Sequence, residues 1–372
     1  MELSEFSAGL DAWLDANDDE LRPSYEGLGT LDEQLAQLAK VKRLGFDAGW
    51  MRYGWPERVG GLGGSSLLRG YLGEALMRRD LVEAGAYSMT EVLAPTMIDF
   101  ASPELAAEMV PRLLRGDELW CQGFSEPSTG SNLASLACRA SRSDGGWLVN
   151  GQKVWTSFAD HAQRCVLLTR TGTSESAHRG ITALFVDMDS TGLTVRPFET
   201  MHGSPEFAEV FFDDVFVPDA RMLGAEGQGW SVAMDLLPYE RSTALWHRGA
   251  LLHRRFDQLL EQIDGDALTA MEVGEVFQQL YAFRARSRQT QYRMAAGGAL
   301  GAETSIDKIL LGTAEQSLFD LAAAGMPDAV LDEGTRWRAE FLYSRAATIY
   351  GGSSEIQRNI VARRLLDLGA ER

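Results

Sequence analysis

Apolar residues recur at helical spacing along the first third of the chain. Leu31, Leu35 and Leu38 follow Thr30-Leu31-Asp32-Glu33, in which the Thr hydroxyl and the Glu carboxylate can each satisfy an orphan amide of a helix start. This predicts a helix that opens at Thr30 and stops near Gly45. Residues 54–64 hold too many glycines for a helix interior, and helical patterns resume over 67–79 and 81–100. Ser102-Pro103 then supplies an N-cap and a first-turn proline for one more helix, ending at Gly116.

From about Leu119 the period shortens to two. Val166-Leu167-Leu168 and residues 181–188 and 209–217 read as strands. Asp144-Gly145-Gly146 and Asn150-Gly151 read as tight turns flanking Trp147-Leu148-Val149, because these residues accept positive φ. After Gly229 the helical period returns and runs to the C-terminus, with breaks at 264–266, 297–301 and Met326-Pro327-Asp328. Helices, then strands, then long helices predict an α+β fold with segregated layers: an N-terminal helical domain (1–117), a middle antiparallel β-barrel (118–225) and a C-terminal helical bundle (226–372). There is no Walker sequence, HExxH or GxSxG, and Gly61-Leu62-Gly63-Gly64-Ser65-Ser66 lacks the third glycine of a dinucleotide fingerprint.

Charge narrows the partners. With 35 Lys+Arg against 53 Asp+Glu the 372-residue chain carries −18, the wrong sign for nonspecific capture of nucleic acid or an anionic membrane. No apolar run approaches the ~20 residues of a bilayer span, so no membrane insertion is expected. The start of the chain, with Glu2, Glu5 and Asp11, lacks the basic-then-apolar pattern of a secretory signal, which predicts a cytoplasmic protein. Cys121, Cys138 and Cys165 show no CxxC spacing. The five histidines, His161, His178, His202, His247 and His253, show no ligand spacing either, so neither a disulfide framework nor a metal site is predicted.

Four segments offer chemistry: Trp55-Pro56-Glu57, Ser125-Glu126-Pro127-Ser128-Thr129-Gly130-Ser131-Asn132, Asn150-Gly151-Gln152-Lys153-Val154-Trp155-Thr156-Ser157, and Ile349-Tyr350-Gly351-Gly352-Ser353-Ser354-Glu355-Ile356-Gln357-Arg358-Asn359-Ile360. Trp155 and Ser157, two apart on a strand, share a face on which an indole can stack against a planar ring while a hydroxyl reaches a ring nitrogen. The alternative is a Trp packing the barrel and a Ser facing solvent. Residues 122–131 begin as strand and end in a Pro/Gly/Ser loop whose free N–H groups suit carbonyl or phosphate oxygens, or which forms a plain polar turn. Ser354-Glu355-Ile356-Gln357 reads as a capping box at a helix N-terminus, itself a seat for an anion.

In this order, with this helix–strand–helix layout, the four segments make the chain resemble the acyl-CoA dehydrogenase family over nearly its whole length. The resemblance implies FAD, held by Gln122, Phe124, Ser125, Gly130, Ser131, Trp155, Ser157, Ser353 and Glu355. It implies an acyl-CoA substrate contacted by Ser131, Arg241, Tyr350 and Gly351. The implied reaction removes the α proton to a carboxylate and the β hydride to flavin, giving a 2,3-enoyl-CoA in fatty-acid or steroid side-chain catabolism, with an electron-transfer flavoprotein as acceptor.

Many members of the family carry the base directly after the Tyr of the last segment, where this chain has Gly351, which keeps only a backbone N–H for the thioester carbonyl. Other branches carry it on the helix after the barrel, just before an Arg. Glu240, before Arg241, holds that place, the alternative being a surface Glu in a helix ion pair. His253-Arg254-Arg255 offers charge to phosphates or forms a solvated helix face, and His202 lies in a loop that approaches the flavin or substrate in the family.

Asn132 stands where relatives often have Asp, and the Arg-x-x-Phe-Gly and Gln-x-x-Gly-Gly-x-Gly elements that contact a neighbouring subunit's FAD are not recognisable between Leu268 and Glu340. Residues 304–311 with Tyr343-Ser344-Arg345 resemble an actinobacterial-type branch with lipid- and steroid-degrading members, some of them heteromers with one catalytic partner. A homo- or hetero-oligomer, dimer or tetramer, is therefore expected. Two other readings stay open: a non-catalytic or half-site subunit, and the same fold with oxidase or monooxygenase chemistry.

Overall fold

Thr30 accepts the Glu33 N–H while the Glu33 carboxylate takes the Thr30 N–H at 2.7 Å, so the predicted capping box opens a helix. The computed structural model describes residues 1–369 apart from 264, 266 and 299, and the breaks expected at 264–266 and 297–301 fall partly outside these residues. Helices α1 (Leu3–Ala16), α2 (Asp18–Leu21), α3 (Leu31–Asp47), α4 (Ser66–Arg78), α5 (Ala84–Phe100) and α6 (Pro103–Arg115) come first. Ser102 caps α6 through the Leu105 N–H, and Gly116 ends it at φ +80°. Gly45 does not stop α3. It lies inside the helix, where a Cβ would come within 2.9 Å of Met51 Cγ, and the reversal falls at Gly49, φ +92°.

Eight strands follow: β1 (Trp120–Gly123), β2 (Arg139–Ser143), β3 (Gly146–Ser157), β4 (Arg164–Arg170), β5 (Ile181–Asp187), β6 (Leu193–Phe198), β7 (Phe207–Pro218) and β8 (Met222–Leu223). They form one sheet in the order β6-β7-β3-β2-β4-β5-β8, with β1 on β4. The expected antiparallel barrel is not formed. The sheet is open, because β8 offers only two residues at one edge before the chain leaves for the next helix. It is also mixed, because β1 runs parallel to β4.

Asp144 and Gly145 do turn β2 into β3. Asn150-Gly151 does not turn. It lies inside β3, where the register against β7 shifts and a Cβ on Gly151 would come within 2.8 Å of Cys138 Cα, so the glycine serves a bulge.

The remaining helices are α7 (Gly229–Glu240), α8 (Thr243–Gln262), α9 (Ala270–Ala295), α10 (Thr304–Gly325), α11 (Pro327–Leu331), α12 (Arg336–Ser344) and α13 (Ser354–Arg364). One apolar core joins all three layers: Trp120, Val166, Leu168 and Phe185 of the sheet meet Val92, Met97 and Leu113 of α5 and α6, and Val232, Ala233 and Leu236 of α7. That packing holds α7 rigidly and sets where its last residue points. Buried Glu74 of α4 ties the first layer to the last, accepting from Trp246, Arg284 (2.6 Å) and Arg288 (2.5 Å). Among the described residues no helix is long and apolar enough to cross a membrane.

Candidate active site

Glu240 is the last residue of α7, and Arg241 follows as its C-cap. Across from them a glycine turn, Gly351 (φ +62°) and Gly352 (φ +93°), leads into α13. Three side-chain donations hold this turn: Arg241 Nε to the Gly351 carbonyl at 3.2 Å, and Gln357 Nε2 to the Gly351 and Gly352 carbonyls at 3.0 and 3.3 Å. A Cβ on Gly351 would lie 2.7 Å from Glu240 Oε1 and 3.1 Å from Lys308 Cε. The two places where a base was expected are thus one place in space, and Glu240 fills the room that glycine leaves.

The donors around Glu240 are committed elsewhere. Arg241 serves the Gly351 carbonyl and Lys308 Nζ the Ala347 carbonyl at 2.5 Å, so the half-buried Glu240 carboxylate keeps its lone pairs free among the described residues. Burial lowers the Arg241 guanidinium from its ordinary value, opposed by neighbouring Glu240. Tyr350 donates to Glu315 at 3.3 Å, and burial first, then the Glu315 charge, raises its phenol well above the usual range. Glu315 is itself gripped by Arg248 through two bonds, at 2.6 and 3.1 Å.

The second part of the site lies on the sheet. Trp155 sits in a bulge of β3, between Lys153 and Thr156, with φ +60°. A bulky residue there is strained, by about 1–3 kcal/mol. Its indole is 58% exposed and propped edge-on by Phe198 and Phe207, at 5.1 and 5.6 Å between ring centroids. Exposed, strained and braced, the ring leaves much of its surface open to a ligand. Ser157, two residues on, is half-buried.

Residues 122–131 reach the same region through the Ser125 carbonyl, which accepts the Val154 N–H at 3.0 Å. Gln122 Oε1, Thr129 Oγ1 and Thr156 Oγ1 are buried without a hydrogen-bond partner among the described residues, which is costly unless a ligand completes them. Gly130 and Ser131 are exposed, and a Cβ on Gly130 would meet nothing within 4 Å. Phe124 instead packs its ring into the core, 7% exposed.

At the start of α13 the cap is Ser353, which accepts the Ile356 N–H at 3.4 Å; the box predicted from Ser354 to Gln357 does not form, because the helix starts one residue earlier and places Ile356 where the Glu or Gln of a box would stand. Gln357, freed from capping, is drawn inward by the two glycine carbonyls, while Glu355 stays exposed in the first turn.

The sequence reading missed two functional-looking groups. Lys153 is fully buried and donates to the Phe124 carbonyl at 3.1 Å and to Glu126 at 2.7 Å. Glu126 in turn accepts the Ala137 and Cys138 N–H groups at 2.7 and 2.9 Å. The pair thereby fixes both ends of the 124–138 loop. A lysine inside an otherwise half-apolar strand was the available signal. The other group is Lys308, buried beside Gly351. Of the expected residues, His253 lies away from the Glu240 corner, on the α8 face beside Phe277, Arg284 and Arg288. Arg254 and Arg255 pair with Asp80.

Comparison with known proteins places the chain in a family. The chain matches the acyl-CoA dehydrogenase N-terminal domain over 18–117, the middle domain over 121–215 and the C-terminal domain over 227–366. It is 34% identical over 389 aligned positions to acyl-CoA dehydrogenase IpdE1 of Mycobacterium tuberculosis, covering 100% of this chain and 99% of that protein. A solved structure described as "Tcur3481-Tcur3483 steroid ACAD" superposes with a TM-score of 0.83 at 24% identity, covering 100% of this chain and 98% of the other. The ChsE4-ChsE5 complex from Mycobacterium tuberculosis gives 0.81 at 23%, covering 99% and 98%. Both structural likenesses concern the fold. With all three domains matched in order and a full-length relative at this identity, the chain belongs to the acyl-CoA dehydrogenase family of FAD-dependent oxidoreductases.

Proposed function

We propose that the chain binds FAD and desaturates an acyl-CoA thioester between its α and β carbons, with Glu240 as the base. One observation carries this reading: the Glu240 carboxylate, without a donor among the described residues, occupies the room beside Gly351. When bound, FAD supplies the acceptor for the β hydrogen and its electron pair.

Trp155 offers the stacking face. Gln122 Oε1, Thr129 Oγ1 and Thr156 Oγ1, unpartnered in the buried wall, fit the polar edge of the cofactor. The exposed Gly130–Ser131 strip and the capped start of α13, at Ser353 and Glu355, suit its anionic part.

The α proton moves to Glu240, and the Gly351 N–H, which serves no carbonyl among the described residues, is placed to polarise the thioester oxygen. Tyr350 walls the site, and Arg241 and Gln357 hold the turn from behind. The name of IpdE1, an acyl-CoA dehydrogenase, supports an acyl-CoA thioester as substrate, and that of the steroid ACAD supports a steroid-type acyl group. An electron-transfer flavoprotein as acceptor, a cytoplasmic setting and assembly with a second copy or a related subunit complete the reading. Mass analysis of CoA thioesters incubated with the purified protein and an artificial acceptor tests it. A product two hydrogens lighter is expected; peroxide without enoyl product would point to an oxidase.

Two substitutions separate cofactor from base. Trp155→Ala is expected to weaken FAD binding at least about 10-fold, read by flavin fluorescence titration. Gly351→Ala pushes a methyl into Glu240 Oε1, and is expected to cut kcat about 10–100-fold with FAD content unchanged.

A further inference from the structure

Lys308 stands on α10 with 3% of its surface exposed, in the 304–311 segment that no proposed step has used. Its ammonium donates to the Ala347 carbonyl at 2.5 Å and lies 4.6 Å from the centre of the Tyr350 ring. Its Cε and Glu240 Oε1 crowd the same point above Gly351, at 3.1 and 2.7 Å. No carboxylate lies within ion-pair distance of it among the described residues: its direct contacts are a carbonyl and an aromatic face, while the Glu315 and then the Glu240 carboxylates act on it through space. Burial of that kind is costly and calls for a return.

The other charged and titratable groups facing this corner are already neutralised or turned away. Arg248 of α8 is bound by Glu315 of α10, Arg241 at the end of α7 is on the Gly351 carbonyl, and Tyr350 is on Glu315. Tyr343 of α12 lies behind Tyr350, 5.9 Å away between ring centroids, and Asp307 points to α9, held by Arg286 and Thr290 at 2.7 and 2.5 Å.

We propose that Lys308 is a positioning residue of the dehydrogenation site: it fixes the Ala347–Gly351 turn and holds a positive charge beside the Glu240 carboxylate without bonding to it. A cation at that place favours the ionised carboxylate as substrate displaces water, while leaving the oxygens open to the α proton. Burial draws the Lys308 ammonium down to about 8, so the charge is present at neutral pH. The proposal rests on Glu240 being the base.

The test compares Lys308→Gln and Lys308→Met with the wild-type FAD-loaded enzyme, reading the pH profile of kcat/KM. Gln can still reach the Ala347 carbonyl but carries no charge. Loss of the cation beside the carboxylate is expected to move the acid limb to higher pH in both variants. FAD content and KM at high pH should change little, and infrared titration of the Glu240 carboxyl should show the same displacement. An unmoved limb in Lys308→Gln overturns the proposal, even where Lys308→Met is crippled, because a purely structural hydrogen bond survives in Gln. Glu240→Gln serves as the control: if that variant stays fully active, the base assignment itself has failed, whatever Lys308 does.

Discussion

Glu240→Gln is expected to lower kcat/KM for acyl-CoA desaturation about 10²–10⁴-fold, the usual contribution of a positioned general base. The amide is isosteric, so the turn at Gly351 and the Arg241 bond to its carbonyl should persist, and FAD content and thermal stability should match wild type. The expectation is specific because Gly351 offers no second base: its side chain is absent, and the space it vacates is already filled by Glu240. Glu240→Asp, one methylene shorter, should fall between the two, since withdrawing the carboxylate by about 1 Å costs up to about 10²-fold. Steady-state kinetics on the three proteins, with flavin content measured on each, checks both statements.

Lys153→Met is expected to be the most damaging change on the cofactor side. Lys153 and Glu126 are 0% and 6% exposed, and removing the cation leaves a buried carboxylate with only two backbone N–H partners. Breaking such a pair costs about 3–5 kcal/mol. The loss should appear in the 124–138 loop and in the strand that carries Trp155, so the purified protein should emerge poor in FAD and less stable to denaturant. Adding Glu126→Gln to Lys153→Met should recover part of the stability, because the stranded charge is gone. A Lys153→Met protein with full flavin content and unchanged stability would remove the pair from the account of the site.

The layout was legible because its signals are local. The Thr30/Glu33 box and the Ser102–Gly116 punctuation are written within a few residues, and both formed as expected. Errors arose where a distant partner decides. Asn150-Gly151 has turn chemistry, but β7 pairs across it and makes it a bulge. The barrel failed because β8 offers only two residues at the sheet edge, and the sheet is mixed because β1 pairs in parallel with a strand more than forty residues on, a pairing no strand period encodes.

The same holds for the site. The motifs around Glu240 and Trp155 single them out for the roles proposed above. The roles proposed for Lys153, Glu126 and Lys308 rest on partners far along the chain, and that of Gln357 on carbonyls at a left-handed turn. Arg241, expected beside the CoA, is occupied in holding Gly351.

The most direct test of Glu240 as base separates proton abstraction from oxidation. FAD-loaded wild-type and Glu240→Gln proteins are incubated without oxygen or acceptor in deuterated buffer with an acyl-CoA that the wild type turns over, and the recovered thioester is analysed by mass and NMR. Wild type should carry deuterium into the α carbon while Glu240→Gln leaves it protonated, its flavin content intact. Equal α exchange by both proteins would contradict the account.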